Sequence, residues 1–233
     1  MVIRWMVLVV SLCGYAHADS ARCRSAVDPQ VSQYIVGYGS LMQEKSKRED
    51  STNVSENIPI DVVGFERGWM VHSDDLRFGT TYLGVRVKPN AILNAVYFKL
   101  NEPQDIRHYD ERETMYCRVL VPREKIRPLT ATALPEGQFW IYITSSEEAP
   151  TSQFPIVQSY VDIFLSGCFE LQNKYHLSGF AKECVTTTVR WSSDWVNDRI
   201  HPRTAHENIP YSPQIDSLTQ ALLPQYASQV KIE

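Results

Sequence analysis

The fold of this chain is decided by the stretch YIVGYGSLM at residues 34–42, a short apolar run that breaks into a glycine-punctuated turn. Residues 34–36 are strand-forming types, and the two glycines allow backbone angles that side chains disfavour. We therefore expect a buried strand that ends in a loop with inward-pointing amides, which can hold a carboxylate or an oxyanion. A dinucleotide-binding G-x-G-x-x-G motif is excluded, because Met42 stands where its third glycine belongs.

Length and composition predict one globular domain. The chain has 233 residues, of which 43% are hydrophobic and 21% charged, which suits a single core of ordinary size. Its formal net charge is −4, and it lacks the long basic runs that nucleic acids and anionic lipids attract. We expect neither nucleic acid nor a membrane as a partner.

The first 18 residues have the pattern of a cleaved signal peptide. Arg4 precedes an apolar run, and the segment ends in Ala16-His17-Ala18, the small-x-small pattern at which signal peptidase cuts. The run is too short to span a bilayer, so we expect no membrane anchor. The predicted protein is exported, with a polar lead-in at residues 19–33 and one domain at residues 34–233.

Cleavage would leave four cysteines, which permit three disulfide pairings in an oxidising compartment: Cys23, Cys117, Cys168 and Cys184. We favour Cys168 with Cys184, because both fall in the C-terminal third, where the pattern is helical. Buried free thiols are an alternative of about equal weight.

Short β-type runs dominate the middle of the chain. Glycine, proline, asparagine and aspartate separate them, which is typical of antiparallel strands joined by turns. The natural product is a small barrel or curled sheet that cradles a ligand at its open end. The expected strands are residues 60–65, 68–72, 80–87, 93–100, 116–121 and 138–143.

Helical periodicity predicts a long core helix at residues 155–175, interrupted at Gly167, and two shorter covering helices at 178–185 and 215–223. The polar segment at residues 43–57 has no hydrophobic period, and we expect a solvated loop or frayed helix there.

A further helix is expected to begin near Asn101 and Pro103 and to run towards Glu113. At about 100° per residue, Glu113 shares the apolar face of this helix with Ile106 and Tyr109.

Burial, the helix dipole and the nearby Asp110 would all raise the pKa of Glu113, which suits a group that takes and gives protons near neutral pH. The alternative is that Asp110-Glu111-Arg112-Glu113 is a charged helix end in which Arg112 neutralises a neighbour.

Several of these motifs together resemble the γ-glutamylcyclotransferase-like family. They are the turn at residues 37–41, Gly64-Phe65 before Arg67, a strand ending in Val96-Tyr97, and Asp110-Glu111-Arg112-Glu113 followed by Tyr116. The resemblance implies an α+β fold, with a small mixed, mainly antiparallel β-barrel flanked by α-helices. It also implies conversion of a γ-glutamyl amine or peptide to 5-oxoproline and a free amine.

The resemblance assigns the site residues as well. Glu113 would be the catalytic acid and base, and the substrate-binding residues would be Gly37, Tyr38, Gly39, Ser40, Leu41 and Tyr116. Because the substrate's own amine is the nucleophile, the reaction requires no metal and no organic cofactor.

Two other functions compete with this one. The first is a non-catalytic module of the same fold that binds γ-glutamyl or other small molecules. The second is a hydrolase with Cys117 as nucleophile and His108 or His72 as base, which is weak because the spacing fixes no partner for the thiol. Metal binding is weaker still, since His201 and His206 lack a ligand-like pattern.

Overall fold

The structure is a computed structural model, and it describes residues 23–49, 54–74, 78–204 and 210–233. The expected signal peptide at residues 1–18 lies outside the described residues and stays a prediction. Within them, no helix is both long and apolar enough to cross a membrane.

A curled, mostly antiparallel sheet forms the centre of the fold. Its strands are β1 Gln33–Gly37, β2 Ile58–Ser73, β3 Thr80–Lys99, β4 Cys117–Leu120, β5 Ile126–Pro128 and β6 Gln138–Ile143. They lie in the order β4-β6-β1-β3-β2-β5, and a short strand, β8 Thr188–Val189, pairs with β2. The sheet curls into a half barrel, which confirms the fold class.

Strand β1 lies in the interior of this sheet. It pairs antiparallel with β3 and parallel with β6. Tyr34 and Val36 pack on one face of the sheet, whereas Ile35 packs on the other. Both faces are covered, which explains why the strand is an uninterrupted apolar run.

Four expected strands are in fact two long ones. The runs at 60–65 and 68–72 merge into β2, and those at 80–87 and 93–100 merge into β3. Neither division is a chain reversal, and the pairing of β2 with β3 instead has register shifts between Val63 and Phe65, where Gly64 lies, and between Trp69 and Val71. Bulges of this kind bend a strand and help a sheet to curl.

The described residues also contain six α-helices, which come from several parts of the chain. They are α1 Glu44–Glu49, α2 Ile106–Arg112, α3 Gln158–Tyr175, α4 Phe180–Thr186, α5 Ser212–Leu222 and α6 Pro224–Ala227. A second, three-stranded sheet consists of β7 Ile156–Val157, β9 Trp195–Asn197 and β10 Lys231–Ile232. The long core helix and both covering helices are confirmed.

Three details differ from expectation. Helix α3 continues unbroken through Gly167, which lies where the helix passes the backbone of Met42. The first turn of the helical segment before Glu113 is a 3-10 helix capped by Glu102, not Asn101. The polar segment after the turn at residues 37–41 is solvated only in part, because its Lys47 is fully buried and donates to Ser55 and Asn57.

Both disulfides form from the four cysteines. Cys168 is bonded to Cys184, as favoured, and Cys23 is bonded to Cys117. The second pair ties the lead-in to β4 and leaves Cys117 without a thiol. The hypothesis of a Cys117 nucleophile is therefore wrong.

Candidate active site

A pocket opens where β1 ends and the C-terminal end of α2 approaches it. It encloses about 320 Å³ of empty space, including the part open to solvent. Its lining residues come from five segments of the chain: Val36, Tyr38, Gly39, Ser40, Leu41, Leu83, Glu113, Tyr116, Tyr142 and Tyr160.

The structure brings most of the expected site residues together here. Tyr38, Gly39, Ser40, Leu41, Glu113 and Tyr116 all line the pocket. Gly37 is the last residue of β1 and lies directly before the lining residues. Residues far apart in sequence thus meet as the resemblance implies.

Glu113 is the C-cap of α2, and its amide donates to the carbonyl of Tyr109 at 2.8 Å. Its side chain is 16% exposed, and Oε1 lies 3.4 Å from Nε of Arg112. The carboxylate therefore faces the pocket with a cation beside it. The structure thus has both the burial that the first interpretation of the helix end requires and the neighbouring cation that the alternative requires.

Arg112 also joins α2 to the glycine-rich turn at residues 37–41. Its Nη2 donates to Oγ of Ser40 at 3.2 Å, and its Nη1 donates to the carbonyl of Ser46 at 3.4 Å. The residue before the carboxylate is thus bonded to the turn that the carboxylate faces, which limits how far α2 and the turn can separate.

A chain of hydrogen bonds fixes the opposite wall. The hydroxyl of Tyr38 donates to the carbonyl of Tyr142 at 2.6 Å, and the hydroxyl of Tyr142 donates to Asp110 at 2.8 Å. Asp110 also accepts from Nε of Arg118 at 2.9 Å, and that guanidinium lies 4.4 Å from the ring centre of Trp140. Turn, β6, β4 and α2 are therefore held in one bonded arrangement.

Tyrosine hydroxyls give the pocket its polar character. Tyr116 donates to the carbonyl of Leu83 at 2.9 Å. Burial raises the pKa of Tyr38, Tyr116 and Tyr160, and the charge of Glu113 raises each further. All three hydroxyls keep their protons at neutral pH, and those of Tyr38 and Tyr116 are donated to the carbonyls of Tyr142 and Leu83.

Sequence reasoning missed Tyr142 and Tyr160 as pocket residues. Tyr160 was assigned to the core face of α3, and its ring does pack edge-on to Trp69 with a centroid distance of 5.9 Å. Its hydroxyl reaches past the core to Gly39 and Ser40. The available signal was a hydroxyl on an otherwise apolar helix face.

The histidines offered as bases are elsewhere. The ring of His72 stacks on Phe154 and its Nε2 contacts the carbonyl of Ala149, whereas His108 is exposed. In the described part of the chain, no three His, Cys, Asp or Glu side chains are grouped so as to hold a metal ion.

Comparison with solved structures identifies the architecture. A structure named γ-glutamyl cyclotransferase matches 82% of this chain and 99% of its own length, with a TM-score of 0.50 and 13% identity. The chain has the γ-glutamylcyclotransferase fold. An uncharacterised human protein with this fold matches 81% of the chain and 98% of its own, again with a TM-score of 0.50 and 13% identity.

At 13% identity these matches establish the fold and not the activity. No protein-family model matches the chain. No curated protein matches it either. The case for a γ-glutamylcyclotransferase activity therefore depends on the pocket.

Proposed function

We propose that the protein is a γ-glutamylcyclotransferase, which converts a γ-glutamyl amine or peptide to 5-oxoproline and a free amine. The observation that carries the proposal is the position of Glu113, a single mostly buried carboxylate that shares a pocket with the glycine-rich turn at residues 38–41. The reaction needs one acid-base group and a set of hydrogen-bond donors, and this pocket contains both.

The proposed reaction begins when Glu113 removes a proton from the substrate's α-ammonium group. The freed amine attacks the γ-carbonyl carbon, so that a C–N bond forms and the five-membered ring closes. The γ-carbonyl oxygen then carries negative charge. Collapse of this intermediate breaks the original amide bond as Glu113 gives its proton to the departing nitrogen, and the extra proton on the ring nitrogen passes to the released amine, which leaves as its ammonium ion.

Hydrogen-bond donors would stabilise the oxyanion and hold the substrate. Backbone amides of the turn and the hydroxyl of Tyr160 are the candidate donors around the pocket, because Tyr38 and Tyr116 give their only hydroxyl protons to the carbonyls of Tyr142 and Leu83. The pocket is small, so a folded γ-glutamyl group is held with its amine and γ-carbonyl close together. Such intramolecular alignment accelerates ring closure strongly.

The test compares Glu113→Gln with Glu111→Gln. Glu111 is exposed on the same helix and serves as a matched control. Both variants and the wild type are incubated with γ-glutamyl-alanine, other γ-glutamyl dipeptides and glutathione, and 5-oxoproline is measured. We expect Glu113→Gln to lower kcat by at least about 10²-fold and Glu111→Gln to leave it unchanged.

Retained turnover in Glu113→Gln would contradict the catalytic assignment. Binding of γ-glutamyl-alanine without 5-oxoproline from the wild type would favour the alternative, a non-catalytic module of the same fold.

We also propose that the protein acts after export. The pattern at residues 1–18 supports this, and so do two disulfides, which persist mainly in oxidising compartments. Mature protein recovered from the periplasm or the medium should begin at Asp19. Recovery from the reducing cytosol with residues 1–18 still attached would contradict export.

A further inference from the structure

Arg67 is a fully buried cation directly behind the turn at residues 37–41, which is called the substrate turn below. It lies on β2, and the five N–H groups of its guanidinium face six oxygen acceptors at distances of 2.7 to 3.1 Å. The acceptors are the carbonyls of Tyr38, Asn94 and Cys184, the side-chain oxygen of Asn94, and the hydroxyls of Thr187 and Thr188. Every donor edge of the side chain is used.

None of these acceptors is a carboxylate. No acidic side chain among the residues that the structure describes forms an ion pair with Arg67, whose guanidinium lies 4.5 Å from the ring centre of Phe164. Burial lowers the pKa of Arg67 to about 9, so the side chain still carries its charge at neutral pH. A buried charge without a counter-charge is costly, and an apolar residue would fill the space more cheaply.

The charge is connected to the pocket through one peptide group. Nη1 donates to the carbonyl of Tyr38 at 3.0 Å. The same peptide carries the amide of Gly39, and both residues line the pocket. A donor on the carbonyl oxygen polarises the peptide and makes its N–H a stronger donor.

We propose that Arg67 is a positioning residue, which holds the Tyr38–Gly39 peptide in place and gives the substrate turn a positive potential towards the oxyanion. This inference rests on the proposed function. Arg67 does not line the pocket and acts through the turn. Its electrostatic influence on the pocket is also visible in Tyr38, whose pKa the Arg67 charge lowers against the larger effect of burial.

Asn94 allows the charge to be cancelled without removing the arginine. Its Oδ1 accepts from Nη2 of Arg67 at 2.9 Å, so Asn94→Asp places a carboxylate on the guanidinium with almost no change in shape, although it also removes the bond from Nδ2 to the carbonyl of Phe180. Arg67→Met removes the charge and keeps the bulk, and Arg67→Lys keeps a charge. Lys47→Met is the matched control, because Lys47 is equally buried but is already paired with Glu44 at 2.8 Å.

The experiment measures kcat and KM for γ-glutamyl-alanine per folded molecule, with the folded fraction taken from unfolding curves. We expect Asn94→Asp and Arg67→Met to lower kcat by about 10- to 100-fold with KM changed less than about threefold, a smaller effect than loss of a direct oxyanion donor. Arg67→Lys should remain at least tenfold more active than Arg67→Met, and Lys47→Met should lose stability but not kcat.

If Arg67→Met does not fold, Asn94→Asp and Arg67→Lys decide by the same criterion. An Asn94→Asp variant with kcat within threefold of the wild type, or one no slower than Arg67→Lys, overturns the inference while leaving the proposed function intact. A wild type that forms no 5-oxoproline overturns the proposed function and this inference with it.

Discussion

At the scale of single residues, Tyr38 shows how the pocket combines burial with polarity. Its side chain is 8% exposed, and its hydroxyl donates to the carbonyl of Tyr142 at 2.6 Å. Burial, followed by the charge of Glu113, raises its pKa well above 10.0. The folded state therefore resists ionisation of this side chain more than the unfolded state does.

Tyr38→Phe should show how the contribution of Tyr38 to stability depends on pH. The folded pKa is raised, so the contribution of Tyr38 to stability is fully present below about pH 10 and is lost as pH rises further. Below that pH the variant should be about 1 kcal/mol less stable than the wild type, because it lacks the hydrogen bond. Urea unfolding at pH 8, 9.5 and 10.5 tests whether this gap narrows, and a gap that widens with pH would contradict it.

Gly39 leaves the space in front of the Tyr160 hydroxyl open. A Cβ at this position would lie 2.8 Å from that oxygen, which is closer than two such atoms pack. We expect Gly39→Ala to keep its melting temperature within a few degrees and to raise KM for γ-glutamyl-alanine about tenfold, because the methyl group displaces Tyr160.

Removing the hydroxyl provides the control for this prediction. If the clash is the cause, the double variant Gly39→Ala with Tyr160→Phe should have a lower KM than Gly39→Ala alone, which is a coupling that only neighbouring residues show. Additive effects would mean that the turn itself had been distorted.

At the scale of elements, the site depends on how closely α3 approaches the turn. A Cβ on Gly167 would lie 2.5 Å from the carbonyl carbon of Met42 and from the amide of Gln43. Both are backbone atoms and cannot rotate away. The absence of a side chain at this point lets the helix support the 3-10 helix Ser40–Met42 directly.

Gly167→Ala should therefore destabilise the protein by about 3 kcal/mol, at the upper end of the cost of overpacking, although alanine favours helices. Asn173→Ala, on the exposed side of the same helix, should change stability by less than about 0.5 kcal/mol. Guanidinium unfolding measures both, and equal stability of the two variants would contradict the close approach.

Local sequence patterns predicted the elements that are buried along their whole length or along one whole face. The apolar run of β1 and the wide apolar face of α3 each determine a single placement, and the structure has both. Lys47 could not be placed in this way, because its burial depends on Glu44, Asn57 and Ser55 acting as partners in space. The long strands β2 and β3 were divided, because glycine, proline and asparagine inside a strand, at Gly64 in β2 and Pro89-Asn90 in β3, have the same sequence signature as at a turn.

In the candidate site, too, local patterns predicted some residues, and others depend on contacts in space. The turn and Glu113 could be paired from motifs, whereas the Tyr160 hydroxyl and the Arg67 guanidinium could not. Their roles depend on which backbone atoms lie beside them. Those atoms belong to the turn at residues 37–41, which precedes Tyr160 by about 120 residues and Arg67 by about 30.

At the scale of the whole molecule, two covalent links restrict the unfolded chain very differently. Cys23–Cys117 spans 94 residues and Cys168–Cys184 spans 16. In the chain-entropy account the first contributes about 4–5 kcal/mol and the second about 3 kcal/mol. The paired substitution of Cys23 and Cys117 by serine should thus lower the free energy of unfolding more than that of Cys168 and Cys184.

Guanidinium unfolding of both double variants measures the difference, and the reduced wild type serves as the reference in which both links are open. A loss below about 1 kcal/mol in the variant without Cys23–Cys117 would mean that the unfolded chain is already compact in that region.

The position of β1 between β3 and β6 also has a consequence for biosynthesis. Gln33 pairs with Gln138, which follows it by 105 residues. While the ribosome is still producing the intervening chain, the edge of β1 that receives β6 stays unpaired, and an open apolar edge is a point of aggregation. Ligand-binding competence should therefore arise late in translation, and a nascent chain halted before β6 would need a chaperone to stay in solution.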